Sequence, residues 1–287
     1  MVSMDIEGGF DNINIDLLIQ ILHSRCADAP LCQWINRWSR CRTVRFKFNG
    51  RLSKELYTSK GIPQCSPLSP YLFGVYVADI FAARLRYTPT IRQLVSSYVD
   101  DGVILVATND REQTMCIVEE VFKNCDRIGM FRGMGFSTIK TKRIGFGDRA
   151  CDARIINGVL LEPVEELRVL CFYFNIANNF SSHVKYWLGR GLMMRRRIGA
   201  FGRRFGGSGG IDAFGIFRLI QAVYLRTVYY SLEWITDYGS YVKSIQTQVN
   251  HCIRTMYQTP IKTFNNVLLA ETAIPPVYIY GKYLQRR

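Results

Sequence analysis

The stretch Tyr98-Val99-Asp100-Asp101-Gly102 places two adjacent carboxylates between two apolar segments, residues 94–99 and 102–107. Both segments are predicted to be strands, so the aspartates are expected at the tip of a hairpin. Adjacent aspartates repel one another, and a divalent cation relieves that repulsion. Neighbouring side chains of a regular strand point to opposite faces, so both carboxylates reach one site only where the hairpin bends. Taken alone, the stretch still favours an ordinary Asp-Gly turn.

Two further segments carry groups that belong with such a site. Asp5-Ile-Glu-Gly-Gly-Phe-Asp11 has a carboxylate at the end of a short predicted strand, followed by glycines that allow a close turn. Gly61-Ile-Pro-Gln-Cys-Ser-Pro-Leu-Ser-Pro70 predicts a stiff turn that enters a helix. By itself Asp5 is more typical of a cap or a solvated strand end. If a neighbouring strand end brought a third carboxylate to the hairpin, the oxygens would suit two Mg²⁺ ions, the usual arrangement for in-line phosphoryl transfer.

The composition predicts a sizeable core and an attraction to polyanions. Of the 287 residues, 48% are hydrophobic and 13% aromatic, which argues against intrinsic disorder and suits one large domain or two packed subdomains. The formal net charge is +14, and residues 181–287 carry 15 basic against 4 acidic side chains. A positive field of that size attracts nucleic acid, and a merely solvated basic surface is the alternative.

Cysteine and histidine spacing argues against a zinc knuckle or a disulfide framework. The nine cysteines are scattered without a Cys-x-x-Cys pair, and the three histidines lie far apart. A reducing, intracellular compartment fits this usage best. No run of about 18 apolar residues predicts a membrane span, and the first residues lack the pattern of a signal peptide. We therefore expect no membrane partner.

Hydrophobic periodicity predicts an α+β part followed by a helical part. Helices are expected from Asn14 to about Cys26, over Pro30–Arg40, from about Ser69 to Arg86 and over 110–127. Further strands are expected near 43–48, 51–58, 139–147, 152–161 and 167–175, with turns at Asn49-Gly50 and Asn157-Gly158. The periodicity becomes helical from Ser181 onward, so we predict one domain over residues 1–178 and a basic helical domain over 179–287.

Five segments, in this order, resemble motifs of the reverse transcriptases of non-LTR (LINE-like) retrotransposons. Asp5–Asp11 resembles the first catalytic motif, with Gly9 where the family has alanine, and Gly61–Pro70 resembles the Gly-Ile-Pro-Gln-Gly-Ser-Pro-Leu-Ser-Pro loop. Tyr98-Val-Asp-Asp101 matches the metal-binding hairpin. Residues 136–146 resemble the next motif, and Val169-Leu-Cys-Phe-Tyr-Phe174 resembles the primer-grip hairpin. The resemblance, which covers nearly the whole chain, implies the palm of a right-hand polymerase (an antiparallel sheet with packed helices), partial fingers at about 27–60 and a thumb-like helical region.

The resemblance implies the metal-binding residues and the reaction. Asp5, Asp100 and Asp101 would be the catalytic carboxylates that bind two Mg²⁺ ions, or Mn²⁺ in their place. The backbone carbonyl of Ile6 would be a further metal ligand. The implied reaction is the addition of dNTPs to a DNA primer, directed by an RNA template.

Three substrate contacts are implied in the same way. Phe10 would lie under the incoming sugar, where its ring would clash with a 2′-OH and so select dNTPs. Gln64 would contact the incoming nucleotide or the template. Lys140 would lie near the pyrophosphate, where an ammonium donates a proton or neutralises charge. The alternatives are a core aromatic for Phe10 and an exposed loop lysine for Lys140.

A run of arginines marks the helical part. Arg190, Arg197 and Arg204 recur every seven residues, close to two helical turns, and Arg196 and Arg203 accompany them. The resemblance assigns this region to a thumb that grips primer and template through phosphates, and a solvated arginine face is the alternative. Because the family must reach chromosomal DNA, the resemblance also implies a nuclear location.

Several departures from the family pattern predict weak activity. Cys65 and Cys171 stand where the loop and the primer-grip hairpin have glycine. A side chain costs about 1 kcal/mol or more wherever the backbone needs a positive φ. The chain also begins four residues before Asp5, so we expect an N-terminally truncated copy that lacks the endonuclease and the first part of the fingers. We therefore expect weak or no synthesis from this chain by itself.

Other classes of protein remain as rival hypotheses. A nucleic-acid-binding remnant would keep the basic helices without a working catalytic site. A group II intron or retron-type enzyme is disfavoured by the Asp-Ile-Glu-Gly opening and by residues 268–276. A viral RNA-dependent RNA polymerase is disfavoured by Phe10, which stands at the sugar position.

Overall fold

The chain is divided into two units, Met1–Leu170 and Cys171–Arg287. The structure is a computed structural model that describes residues 1–58, 60–82, 91–147, 153–204 and 212–287, without the side chains of 201–204 and 213. The first unit mixes strands and helices, and the described residues of the second are mainly helical. The predicted α+β class is therefore confirmed. The assignment of 1–178 and 179–287 to separate functional domains stays a prediction.

The first unit is built on a six-stranded sheet. In spatial order its strands are β6 (Arg92–Tyr98), β7 (Asp101–Ala107), β1 (Val2–Asp5), β8 (Lys142–Arg143), β10 (Val159–Pro163) and β9 (Arg154–Ile156). Neighbouring strands are antiparallel except β8 and β10, which are parallel. Four short strands form two more antiparallel pairs, β2 (Arg42–Val44) with β5 (Leu56–Thr58) and β3 (Lys47–Phe48) with β4 (Arg51–Leu52). Strand β11 (Glu166–Val169) ends the unit.

The core of this unit lies on one face of the sheet. Val2 and Met4 of β1 and Ile104 and Val106 of β7 are buried. They share one apolar cluster with helices α1 (Ile15–Ser24), α2 (Ala29–Arg40), α3 (Ser69–Val77) and α4 (Arg111–Phe131). Successive side chains of a strand alternate between the two faces. Asp5 and Asp101, one position out of phase with this buried set, therefore lie on the opposite face.

Local signals in the sequence account for several element boundaries. Asn14 caps α1 as predicted, and its Oδ1 accepts the N–H groups of Asp16 at 2.9 Å and Leu17 at 3.2 Å. The predicted turns at Asn49-Gly50 and Asn157-Gly158 are confirmed, and all four residues have positive φ values of 47–80°.

Several elements differ from their predicted extents. The predicted strands 43–48 and 51–58 are each split in two, since the Ser53 hydroxyl accepts the N–H of Phe46 at 2.9 Å at the break. Only Lys142–Arg143 of the predicted strand 139–147 is extended, because Thr141 bonds back to Ser137 in a turn. Helix α3 ends at Val77, and the last part of the helix predicted to Arg86 lies outside the described residues.

The second unit is a group of helices after one strand, β12 (Phe172–Asn175). Its helices are α5 (Ser181–Arg204), α6 (Ala213–Leu219), a π-helix (Ile220–Leu225), α7 (Arg226–Val228), α8 (Leu232–Ile235), α9 (Gly239–Tyr257), α10 (Asn265–Glu271) and α11 (Val277–Gln285). Helix α5 runs unbroken through Gly199 and Gly202. Its Gly191 lies against Val228, and a Cβ there would overlap the valine side chain. Among the helices of the described ranges, none is both long and apolar enough to cross a membrane.

Candidate active site

Two of the three predicted catalytic carboxylates face one another across adjacent strands. Strands β1 and β7 pair so that Asp5 lies directly opposite Asp101. The Cβ atoms of such partners are about 5 Å apart, and like charges at this position destabilise a sheet. The N–H of Ile6 donates to the carbonyl oxygen of Asp100 at 3.1 Å, so the end of β1 lies against the hairpin turn. The register therefore gathers acidic groups at the cost of local repulsion.

The third carboxylate lies in the turn that joins β6 to β7. Tyr98 pairs with Asp101, so Val99 and Asp100 are the two turn residues. Val99 has a φ of 56°, which a β-branched side chain rarely adopts. Strain of this kind costs about 1–3 kcal/mol and is concentrated at functional sites. The bend takes Asp100 out of the regular strand alternation, which is the condition under which two adjacent carboxylates can share a site.

Lys140 forms an ion pair with Asp5. Ser137 donates its N–H to the carbonyl of Asp5 at 2.9 Å, and the turn that follows brings Lys140 Nζ to 3.0 Å from Asp5 Oδ2. The Asp5 side chain is only 15% exposed, whereas that of Lys140 is 65% exposed. The hydrogen bond to Asp5 and the charge of Asp5 raise the pKa of Lys140 above its ordinary value. Lys140 thus brings a positive charge to the acidic cluster, and its assignment to the pyrophosphate stays a prediction.

Burial and neighbouring charges both act on Asp101. Burial first, and then the charges of Asp100 and Asp5, raise the pKa of Asp101, while Lys140 and Arg168 lower it. Carboxylates that disfavour one another's ionised forms suit a divalent cation, and carboxylate oxygens are the ligands that Mg²⁺ prefers. Among the residues that the structure describes, however, no three acidic, histidine or cysteine side chains converge on a single metal position. The donor chemistry fits Mg²⁺, and Lys140 is the cation that contacts Asp5.

The loop Gly61–Pro70, called the Pro-rich loop below, packs on the segment that follows Asp5. Ile62 donates its N–H to the carbonyl of Phe10 at 2.9 Å, and Gly61 donates to Ile13 at 3.3 Å. Gly61 has a φ of 63°, and a Cβ there would overlap the backbone of Phe10 and Asp11, so only glycine fits. Gln64 lies two residues after Ile62, which contacts Phe10, and it is exposed.

Phe10 is half-buried and stacks on another aromatic ring. Its ring centroid lies 4.7 Å from that of the buried Phe73, with an interplanar angle of 22°. A Cβ at Gly9 would approach Phe73 Cε2 to 2.7 Å, which is closer than packed carbons tolerate. The presence of Gly9, where the resembled motif has alanine, is therefore explained by Phe73.

Sequence reasoning missed two basic residues near this site. Arg42 donates from Nη2 to the carbonyls of Lys60 and Gly61, both at 2.7 Å, and so fixes the start of the Pro-rich loop. Arg168, on β11, is close enough to lower the pKa of Asp101. Neither lies in a recognisable pattern, and both act on residues remote in the sequence.

The predicted arginine face lies on α5 of the second unit. Arg190, Arg196 and Arg197 are exposed, whereas Arg195 is half-buried. The backbones of Arg203 and Arg204 belong to the same helix, and their side chains lie outside the described part of the structure.

Comparison with known families decides the relationship of this chain. Residues 1–162 match the family model "Reverse transcriptase (RNA-dependent DNA polymerase)". The chain belongs to the reverse transcriptase family. The matched region of this family member contains Asp5, Phe10, Gln64, the Asp100–Asp101 hairpin and Lys140, and it ends before the arginine-rich helix.

Two solved telomerase structures are similar to this reverse transcriptase family member. The apo telomerase of Candida tropicalis is 13% identical with a TM-score of 0.45, and the match covers 99% of this chain and 45% of the other. Telomerase from Candida albicans, in complex with a fragment of telomeric RNA, is 10% identical with a TM-score of 0.43, covering 96% and 51%. This chain thus spans about half the length of either telomerase chain. At such values neither likeness assigns a function to it.

Proposed function

We propose that this chain is the polymerase part of a non-LTR (LINE-like) retrotransposon reverse transcriptase. It would extend a DNA primer with dNTPs on an RNA template. The phosphoryl transfer would use two Mg²⁺ ions, or Mn²⁺ ions in their place. The observation that carries the proposal is the pairing of Asp5 with Asp101 beside the strained turn at Asp100. Membership of the reverse transcriptase family supports it. A nuclear location belongs to the same proposal.

The residues divide the chemistry among them. Asp5, Asp100 and Asp101, with the carbonyl of Ile6, would hold the ions, which supply charge neutralisation and an activated 3′-oxygen. Lys140 is largely exposed, and an ion pair at such a site is weak, so its ammonium is free to leave Asp5 for the pyrophosphate. Gln64 would contact the nucleotide or the template. The second unit would act as the thumb. The arginines of α5 would bind phosphates of the primer and template: Arg190, Arg196, Arg197, Arg203 and Arg204.

A primer-extension assay tests the proposal. The full chain is given an RNA template, a DNA primer, dNTPs and Mg²⁺, and the Asp100→Asn/Asp101→Asn variant is compared with it. We expect weak synthesis that the double substitution abolishes. The matched control is Asp28→Asn, because Asp28 is exposed and its side chain caps no helix N–H. Synthesis that survives in the double variant would refute the proposed site.

The substrate class is tested at Phe10. A Phe10→Val variant removes the ring that would clash with a 2′-OH, so discrimination against NTPs is expected to fall about tenfold or more. The measurement is the ratio of dNTP to NTP incorporation in the same primer-extension assay. Phe73→Leu is the control, since it disturbs the stack with Phe10 without opening the proposed sugar position. An unchanged ratio in Phe10→Val would leave Phe10 as a core aromatic.

Nucleic-acid binding without catalysis is a second candidate function. It is favoured by the Lys140–Asp5 ion pair and by the lack, within the described residues, of three side chains converged on a metal. Salt-dependent binding of primer–template, with no metal-dependent synthesis, would favour this candidate over the first.

A further inference from the structure

A cavity of about 680 Å³ lies within the second unit. Its wall includes Gln221 of the π-helix, Arg226 of α7, Tyr229, Trp234 of α8 and Tyr280 of α11. The volume is in the range of small-molecule and cofactor sites, and the wall contains both aromatic rings and hydrogen-bonding groups. π-helical segments are rare and are frequently found at functional sites.

One polar group in this wall is left unsatisfied. The Tyr229 side chain belongs to a residue that is 8% exposed, and its hydroxyl has no hydrogen-bond partner within the described part of the chain. Leaving a buried hydroxyl unpaired costs about 1–3 kcal/mol. Tyr229 also packs on Tyr280, with ring centroids 5.2 Å apart, so the two rings form an aromatic part of the wall. A ligand with a flat apolar face would pack against these two rings.

Trp234 adds an exposed aromatic surface to the same cavity. The residue is 67% exposed, and it also lines a second cavity of about 330 Å³ whose walls include Phe172, Phe174 and Phe180. An indole between two aromatic-walled cavities is suited to stacking on flat rings. Unpaired bases stack on such side chains with little sequence preference. The unit around them is strongly basic, which attracts a polyanionic strand.

We propose that the cavities on either side of Trp234 bind unpaired nucleobases of a single-stranded nucleic acid. Trp234 would provide the stacking surface, Gln221 would bond the edge of a base, and Arg226 would contact its phosphate. The residues of this site belong to the second unit, and those of the acidic cluster belong to the first. The inference rests on the proposed function, because a polymerase that copies RNA is what would bring a single-stranded nucleic acid to this unit.

Fluorescence anisotropy with labelled 12-nucleotide single strands tests the inference on the full chain without Mg²⁺. Trp234→Ala is expected to weaken binding about tenfold, because stacking contributes about 1–3 kcal/mol per base. Trp234→Phe should restore most of the affinity. Tyr278→Ala is the control, since Tyr278 is an exposed aromatic of the same unit that lines neither cavity. RNA and DNA strands are compared, to establish which one the site prefers.

A strand with abasic residues separates base stacking from phosphate binding. It should bind wild type about as weakly as the base-bearing strand binds Trp234→Ala. Equal affinity for abasic and base-bearing strands, or an unchanged affinity in Trp234→Ala, overturns the inference. Primer extension is scored separately. Trp234-dependent binding together with synthesis that survives Asp100→Asn/Asp101→Asn would sink the proposed active site alone. Synthesis that the double substitution abolishes, together with Trp234-independent binding, would sink this inference alone.

Discussion

At the scale of single residues, Gly9 and Phe73 depend on one another. Phe73 is fully buried and fills the space that a methyl group at position 9 would need. The same ring stacks on Phe10, so it links the close turn after Asp5 to the aromatic of the candidate sugar site. A change at either position therefore reaches the active site through packing.

We predict that Gly9→Ala lowers the free energy of unfolding by about 1–3 kcal/mol, because the added methyl overpacks a filled core. In the Phe73→Leu background the same substitution should cost clearly less. Urea denaturation of the four proteins of this double-mutant cycle measures the coupling. Additive effects would contradict the proposed dependence.

The two cysteines at glycine positions of the resembled motifs differ in backbone conformation. Leu170 and Cys171 have φ values of 47° and 64°, as the two residues of a turn that favours glycine at its second position. Cys65 has no positive φ. The strain expected from the sequence therefore exists at Cys171 and not at Cys65.

Cys171→Gly is predicted to raise the free energy of unfolding by up to about 1 kcal/mol, since relief of the left-handed strain exceeds the entropy that glycine adds to the unfolded chain. Cys65→Gly, the matched control, should give no gain. Both values come from urea denaturation. Equal effects at the two positions would mean that backbone conformation is not the cause.

At the scale of elements, His183 connects α5 to strand β12 and to the segment between α7 and α8. Its Nδ1 accepts the N–H of Tyr173, so its Nε2 carries the proton that is donated to the carbonyl of Tyr230, both at 3.3 Å. The ring also stacks on Phe172 at 4.1 Å. Burial lowers the pKa of His183, against smaller opposing effects of Tyr230 and Glu233. The folded state therefore holds a neutral imidazole.

This arrangement predicts that acid weakens the fold. Because the folded pKa of His183 is lowered, the unfolded chain binds the proton more readily, and stability is lost as pH falls below the unfolded value of about 6.5. Thermal unfolding between pH 7.5 and 5 measures the effect. His183→Gln should be less stable at pH 7.5 but less sensitive to acid, while the exposed His251→Gln should keep the wild-type pH dependence. An unaltered dependence in His183→Gln would assign it to another group.

At the scale of the whole molecule, charge and acidic chemistry are carried by different units. Residues 181–287, within the second unit, hold 15 basic and 4 acidic side chains, whereas the aspartate cluster belongs to the first. Such a division suits a protein that binds a polyanion with one part and performs metal-dependent chemistry with another.

We predict that binding of primer–template weakens steeply with salt. Combined Arg190→Gln, Arg196→Gln and Arg197→Gln should reduce affinity for all sequences alike and lower the salt slope by about 0.9 for each phosphate that is no longer neutralised. Arg154→Gln is the control, because Arg154 is already paired with Glu119 at 3.0 Å. Filter binding over a series of salt concentrations measures the slopes. An unchanged slope in the triple variant would leave these arginines as a solvated face.

The sequence by itself determined what local chemistry controls. The Asn14 cap, the two Asn-Gly turns, the hairpin at Asp100–Asp101 and the change from mixed to helical periodicity are readable because each depends on neighbouring residues. The order of the motifs was enough to indicate a reverse transcriptase, and the match over residues 1–162 confirmed membership of that broad family.

Only the tertiary structure decided which distant groups meet. The register of β1 against β7 placed Asp5 opposite Asp101, and a turn remote in sequence brought Lys140 to Asp5. Packing also gave Gly9 its reason in Phe73 and placed Trp234 between two cavities. These contacts join residues far apart in the chain, and their free energy depends on three-dimensional packing, which no local pattern of residues encodes.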